Sequence, residues 1–474
     1  MMGNGMQAAG FDKEALKQWH GAVEKALKGA PFESLTSTSD EGIALQPLYA
    51  PADGQPIAMR GGGTPWIVAQ RVDHPNAGAA QAQTMAELEG GASGLVLVAQ
   101  GAPASLGYGI NLADVPAILD DVLVDAVRLT FEPSPSRARD ALALAAYLDG
   151  RTTPNAHIAV DFGLDPASLL ASSGGLRGDG PSTREAQARH FGQLAEYGFK
   201  GTIYRADGRV IHNGGGTDAD ELAFVLASLV FAMKSGDDPA LSARKTMLGV
   251  AVDADQFAGI AKLRALRLLH AKLMEAAGIA PFAPHIHAET STRMLTRLDP
   301  HVNMLRATTA VFAAAVGGTD SITALPFSQL LGYPDPFARR TARNTQLVLM
   351  EESHLHQVGD PAAGSGLYES YTQALCEKAW ASFQAIEREG GVIEALASSH
   401  IQNQVKAAQA GKITQLESGK RHLTGTTVFQ LETEYPVDVE DIAPVRFALK
   451  AGLKTYCEPI APWPQNLGRK GASS

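Results

Sequence analysis

Apolar, β-branched runs recur along the middle of the chain at WIVAQRV (66–72), GLVLVAQ (94–100), AVRLTFE (126–132), HIAVDFG (157–163), GTIYRA (201–206), MLGVAV (247–252), PHIHAE (284–289) and SITALPF (321–327). Runs of this length and composition make eight candidate strands. Between them lie alanine- and leucine-rich stretches of helical period, such as ARDALALAAYLDG and DELAFVLASLVFAMK. Strict alternation of strand and helix implies a parallel sheet. Eight repeats over roughly 280 residues match a (β/α)8 TIM barrel better than a doubly wound open sheet. Asp299 before Pro300, and Asp218 before DELAFVLA, read as helix N-caps.

Outside the repeats the pattern changes. Phe11, Leu16, Trp19, Val23 and Leu27 share one face of a helix expected over 11–29, and the Pro- and Gly-rich stretch 40–63 suits an extended connection lying on another surface. Residues 328–410 look helical, and 411–474 mix short strands with Pro and Gly. The expected organisation is therefore an N-terminal helix and arm (1–63), a barrel (64–400) and a helical to irregular C-terminal extension (401–474).

Composition narrows the classes. The 474 residues are 45% hydrophobic and carry 40 basic against 50 acidic side chains, a net charge of -10 without long like-sign runs, so nothing points to a nucleic-acid binder and none is expected. Cys376 and Cys457 are the two cysteines, too few for a disulfide framework or a four-cysteine zinc site within the chain. No run of 18 apolar residues and no signal-type N-terminus occurs, so the expectation is a cytoplasmic protein with no membrane contact.

In a barrel, the loops after the strands carry the chemistry. Tyr108, in QGAPASLGYG, either reaches into the mouth or packs its ring in the loop. His212, in IHNGGGTDADEL, precedes three glycines and a helix start, where free amides suit an anion and an imidazole suits general acid work or hydrogen-bond donation; it could equally be a histidine of a flexible turn. His285 and His287 alternate onto one strand face with Glu289 as the nearby third ligand, a thin basis for a metal, and none is expected. His354 and His356 beside Glu351 and Glu352 read as a solvated polar face. No GxxxxGK[ST] loop, GxGxxG after a strand, GxSxG elbow or HExxH helix is present.

The block 285–371, HIHAETSTRMLTRLDPHVNMLRATTAVFAAAVGGTDSITALPFSQLLGYPDPFARRTARNTQLVLMEESHLHQVGDPAAGSGLYESY, resembles the most distinctive region of the methylmalonyl-CoA mutase family, and the likeness extends to GTPWI (63–67) and LTGTT (423–427). The resemblance implies a (β/α)8 barrel threaded along its axis by the pantetheine arm of a coenzyme A ester. It also implies an adenosylcobalamin domain with a DxHxxG motif, which this sequence does not contain, so the cofactor is expected to come through a partner chain and none to bind here.

By the same resemblance His212 falls on the family's catalytic histidine, although Ile211 replaces the tyrosine before it. Tyr108 falls near an active-site tyrosine, and His287 and Lys245 fall where a histidine and an arginine contact coenzyme A. The substrate-gripping arginine has no counterpart in DFGLDPASLLASSGG, and Glu289, Leu325 and Gln329 replace a glutamine, an asparagine and a glutamate of the active chains. The pattern is that of the non-catalytic small subunit, partner of a catalytic cobalamin-binding subunit or a homo-oligomer. Two alternatives stand beside it: an active acyl-CoA mutase barrel using a separate cobalamin-binding protein, and a CoA-ester binding or regulatory protein without turnover.

Overall fold

The computed structural model describes residues 13–57, 59–135, 138–176, 178–445 and 454–463. All eight expected strands form: β1 (Ile67–Val72), β2 (Gly94–Val98), β3 (Arg128–Glu132), β4 (Val160–Asp161), β5 (Tyr204–Asp207), β6 (Thr246–Val252), β7 (Ile286–Thr290) and β8 (Ser321–Thr323). They pair in parallel in the order β4-β3-β2-β1-β8-β7-β6-β5. Parallel bridges from Ala159 to Lys200 and from Leu164 to Tyr204 complete the ring between β4 and β5, with Phe162 N–H donating to Thr202 O at 3.0 Å. Gly201 makes this seam possible: its φ is +96°, and a Cβ there would lie 2.4 Å from the Val160 carbonyl oxygen.

Helices α1 (Ala77–Glu89), α2 (Val115–Ile118), α3 (Ala138–Asp149), α4 (Gly180–Ala195), α5 (Asp218–Met233), α6 (Gln256–Ala276), α7 (Val302–Val316) and α8 (Pro336–Leu347) flank the ring. Most start on a side-chain cap, as where Asn76 accepts from Ala79 N–H and Asp255 from Ala258 N–H. Two expected caps differ. Thr217, not Asp218, caps α5, in a capping box with Asp220, because the hydroxyl reaches the Asp220 amide while Asp218 already lies in the first turn. Helix α7 begins at Val302 after His301, and Asp299 instead adopts a left-handed φ of 43° beneath Gly425.

The apolar core lies between the outer strand faces and the helices. Val68, Leu248, Val250 and Ile286 pack towards α5, α6 and α7, and Leu95, Leu97, Leu129 and Phe131 form a second cluster with α2 and α3. Inside the ring, Ala69, Val96 and Val98 form a small apolar group. Helices Gly366–Arg388, Val392–Ala397 and His400–Glu417 add an outer layer over α5 and α6, so the last helix runs past the expected end at 410.

At the N-terminus a helix spans Lys13–Leu27, Phe11 lies outside the described residues, and none of the helix's described side chains is buried. Trp19 and His20 meet Phe32 there. The stretch after it runs along the surface near residue 360, with Ala52 N–H donating to Gly364 O and Ile57 N–H to Asp360. Among the described residues no helix is long and apolar enough to cross a membrane.

Candidate functional site at the barrel mouth

Alternate residues of a strand share a face, and in an eight-stranded barrel alternate strands supply one layer of inward side chains. Here the odd strands supply charge to the layer near the mouth: Arg71 from β1, Glu132 from β3, Arg205 from β5 and Glu289 from β7. Even strands leave room, as at Gly249 of β6, where a Cβ would sit 3.1 Å from an Asp207 carboxylate oxygen.

The charges are paired across the ring. Arg205 meets Glu132 at 2.5 Å, and Arg71 meets Glu289 at 3.0 Å and Asp73 at 3.2 Å. Arg209, from the short helix Arg209–Asn213 that follows β5, lies in the middle: its guanidinium reaches Asp207, Glu132 at 2.7 Å and Glu289 at 3.2 Å. Strands β3 and β7 stand opposite each other in the ring, so one guanidinium spans the barrel. Burial alone would raise the Glu132 carboxyl, but Arg205 and Arg209 outweigh it and hold it at about 2. The axis is filled at this level by a balanced ionic plug.

Lower layers are also occupied. Arg128 forks onto Asp161 at 2.7 and 2.8 Å, and Asp161 in turn accepts from Thr202. His285 Nε2 and His287 Nδ1 both contact Ser321 Oγ, at 3.2 and 2.8 Å, and burial pushes both imidazoles down. Glu289, the third ligand the sequence offered them, is held by two arginines.

The expected site residues are not brought together. His212 is fully buried: Nε2 lies 3.0 Å from Ser291 Oγ, and Nδ1 lies 3.4 Å from both Asp218 and Glu221. Those three could hold a metal by geometry, but Lys262 Nζ sits 2.8 and 2.7 Å from the two carboxylates and already supplies the cation. Tyr108 is buried edge-on against Tyr333, at 4.9 Å between rings, and burial with nearby Asp73 raises its phenol. Neither lines the mouth. Lys245 is at the opposite end, its ammonium donating to Phe199 O and Gly201 O, beside a separate cavity of about 250 Å³ lined by Phe191, Leu194 and Phe199; burial lowers its pKa. Leu325 is buried, with its N–H on Thr290 Oγ1, and His356 Nδ1 faces Met350 O.

Above the plug is a cavity of about 370 Å³. Its floor is Glu132, Arg205, Asp207, Arg209 and Glu289, and its walls include Leu106, Leu169, Val210 and Ile460. The C-terminal stretch, which the sequence pattern left unplaced, crosses this mouth. Lys454–Thr455 pairs antiparallel with Gly175–Leu176, and Ile460 N–H donates to Ala171 O and Trp463 N–H to Asn213 O. Val445 N–H donates to Gly107 O on another side.

The charged layer is encoded inside the strands and not in the loops that follow them. Its signal is the charge inside strand runs, as in AQRV, LTFE and IYRA, since a charge within a doubly buried strand must find a partner.

Comparison with known proteins agrees with this architecture. The profile of the family described as methylmalonyl-CoA mutase matches residues 200–458. The methylmalonyl-CoA mutase small subunit of Streptomyces virginiae is 34% identical over 91% of this chain and 73% of its own length, and that of Propionibacterium freudenreichii subsp. shermanii 32% over 90% and 70%. The methylmalonyl-CoA mutase of Escherichia coli (strain K12) is 27% identical over 90% of this chain and 66% of its own. The chain belongs to the methylmalonyl-CoA mutase family.

Proposed function

We propose that the protein is a small-subunit-like component of an adenosylcobalamin-dependent methylmalonyl-CoA mutase. In this reading it associates with a catalytic chain that carries the cobalamin and interconverts methylmalonyl-CoA and succinyl-CoA, and it performs no isomerisation itself. The observation that carries the proposal is the ionic plug: a pantetheine arm needs an open axis, and Arg209 joins Glu132 to Glu289 across it. His212 and Tyr108, both sealed from the mouth, are on this view vestiges of a catalytic pair, and His287 is a sealed coenzyme A position. The N-terminal helix, with Leu16, Trp19, Val23 and Leu27 only half-buried and Trp19 meeting Phe32, suits wrapping on the partner.

A second reading, CoA-ester binding without turnover, draws on Lys245. Half buried beside its cavity at the far end of the barrel, it is the one expected coenzyme A contact near open space. An active barrel that borrows a cobalamin protein has the plug and the strap against it.

Calorimetry with methylmalonyl-CoA and adenosylcobalamin, on the chain alone and with the catalytic subunit, separates these readings. Tight complex formation without cobalamin uptake by the chain alone is expected. Turnover by the chain without the catalytic subunit, or a monodisperse chain indifferent to that subunit, overturns the proposal. Methylmalonyl-CoA binding by the chain alone that is lost in Lys245→Ala selects the second reading.

A further inference from the structure

We propose that the mouth cavity is a binding site for a small, uncharged, mainly apolar molecule of single-ring size, a different ligand class from an acyl thioester on a long arm. Size comes first. A cavity of about 150 Å³ lined by apolar side chains holds a benzene ring, and this one is about 370 Å³. The plug closes its lower end, so a ligand has to fit entirely above Arg209.

Charge decides the class. Every ionised group in the floor is already matched: Arg205 by Glu132, Arg209 by Asp207, Glu132 and Glu289, and Glu289 also by Arg71. Asp165, in the side wall, accepts from the Ser168 and Asp207 amides, both at 3.0 Å. An entering carboxylate finds no free cation and meets the carboxylates of Glu132, Asp165, Asp207 and Glu289, so it would be desolvated without a partner. An entering ammonium finds only Asp165 without a cation of its own, and has to be held there against the guanidiniums of Arg205 and Arg209. A neutral molecule bears no such cost and gains contact with Pro103, Leu106, Leu169, Val210 and Ile460. Asn213, Thr292 and Ser168 are among the uncharged polar groups that can orient a hydroxyl or carbonyl.

The test uses three fluorinated probes on the full chain at pH 7.5, followed by ¹⁹F line broadening: 4-fluorobenzyl alcohol, 4-fluorobenzoate and 4-fluorobenzylamine. Saturable binding of the alcohol is expected, with each charged probe at least about tenfold weaker, a factor equivalent to about 1.4 kcal/mol. Val445→Trp, at a rim position that is 42% exposed and so leaves the core intact, is expected to abolish the alcohol signal. Ser172→Trp, from another lining segment, repeats the block independently. A charged probe binding as tightly as the alcohol, an alcohol signal unchanged in both Trp variants, or no binding of the alcohol overturns the inference. Because the chain is tested alone, failure here leaves the partner-subunit reading untouched.

Discussion

Arg209→Met is the most direct probe of the plug. The substitution keeps much of the side-chain bulk but removes the cation shared by Asp207, Glu132 and Glu289, all nearly buried. Breaking a buried pair by deleting one partner typically costs about 3–5 kcal/mol, because a charge is left in low dielectric without compensation. Melting entropy scales with length, at about 2 cal/mol/K per residue, so in a chain of 474 residues a loss of this size lowers Tm by roughly 3–5 °C.

The pH dependence gives a second reading of the same contact. Glu132 is held at about 2, below its ordinary 4.5, by Arg205 and Arg209 against burial. Its stabilising contribution is therefore complete above pH 4.5 and is lost as pH falls towards 2. Removing Arg209 lifts this carboxyl, so the variant's deficit should be largest near pH 7 and narrow as pH drops through 4. Calorimetric melting at pH 7, 5 and 4 measures both effects. A deficit under about 1 kcal/mol at pH 7, or one that grows on acidification, refutes the plug as described.

Three further outcomes follow from the same geometry. Lys262→Met leaves Asp218 and Glu221 buried without their cation, at a cost of about 3–5 kcal/mol; with His212 it also frees three ligands, so Zn²⁺ should raise the variant's Tm and leave the parent's unchanged. Gly201→Ala should destabilise by at least about 2 kcal/mol in urea titration, since its φ of +96° and the Val160 carbonyl 2.4 Å away both oppose a Cβ at the closing seam. Deleting residues 1–31 should leave the melting temperature within about 1 °C, as the described residues of this segment bury no side chain, yet abolish co-purification with the catalytic subunit; retained co-purification would place the partner surface elsewhere.

The barrel was legible because its strands are continuous apolar runs separated by helical periodicity, and each of the eight forms where the pattern put it. Helix starts were less so. Asp218 and Asp299 both resemble caps in sequence, but only backbone direction decides whether a side chain faces an open amide, and Thr217 and His301 precede the actual helices. The same limit applied to His212. Its glycine neighbours suggest a loop in the mouth, whereas Arg209–Asn213 coils into a helical turn that aims the imidazole at Ser291 and α5. Arg209, three residues earlier on that turn, takes the central place. Glu289 was visible as a departure from the family pattern, but its meaning depended on Arg71 and Arg209, which are 218 and 80 residues away in sequence and adjoin it only once the ring closes.

Two obstacles to the family's reaction are present, one in the axis and one over the mouth. The plug blocks the axis through side chains of the odd strands and Arg209; the strap covers the mouth through backbone contacts of residues 456–463 with Ala171, Gly174 and Asn213. A substrate that threads the barrel and presents its acyl group at the mouth needs both paths open at once. Restoring a substrate-gripping arginine therefore changes nothing while Arg209 bridges Glu132 and Glu289, and clearing the axis changes nothing while Ile460 and Trp463 lie over the mouth. On the function proposed above, a barrel closed in both places with its outer core intact serves through its outer surface, which is the part that a partner subunit can use.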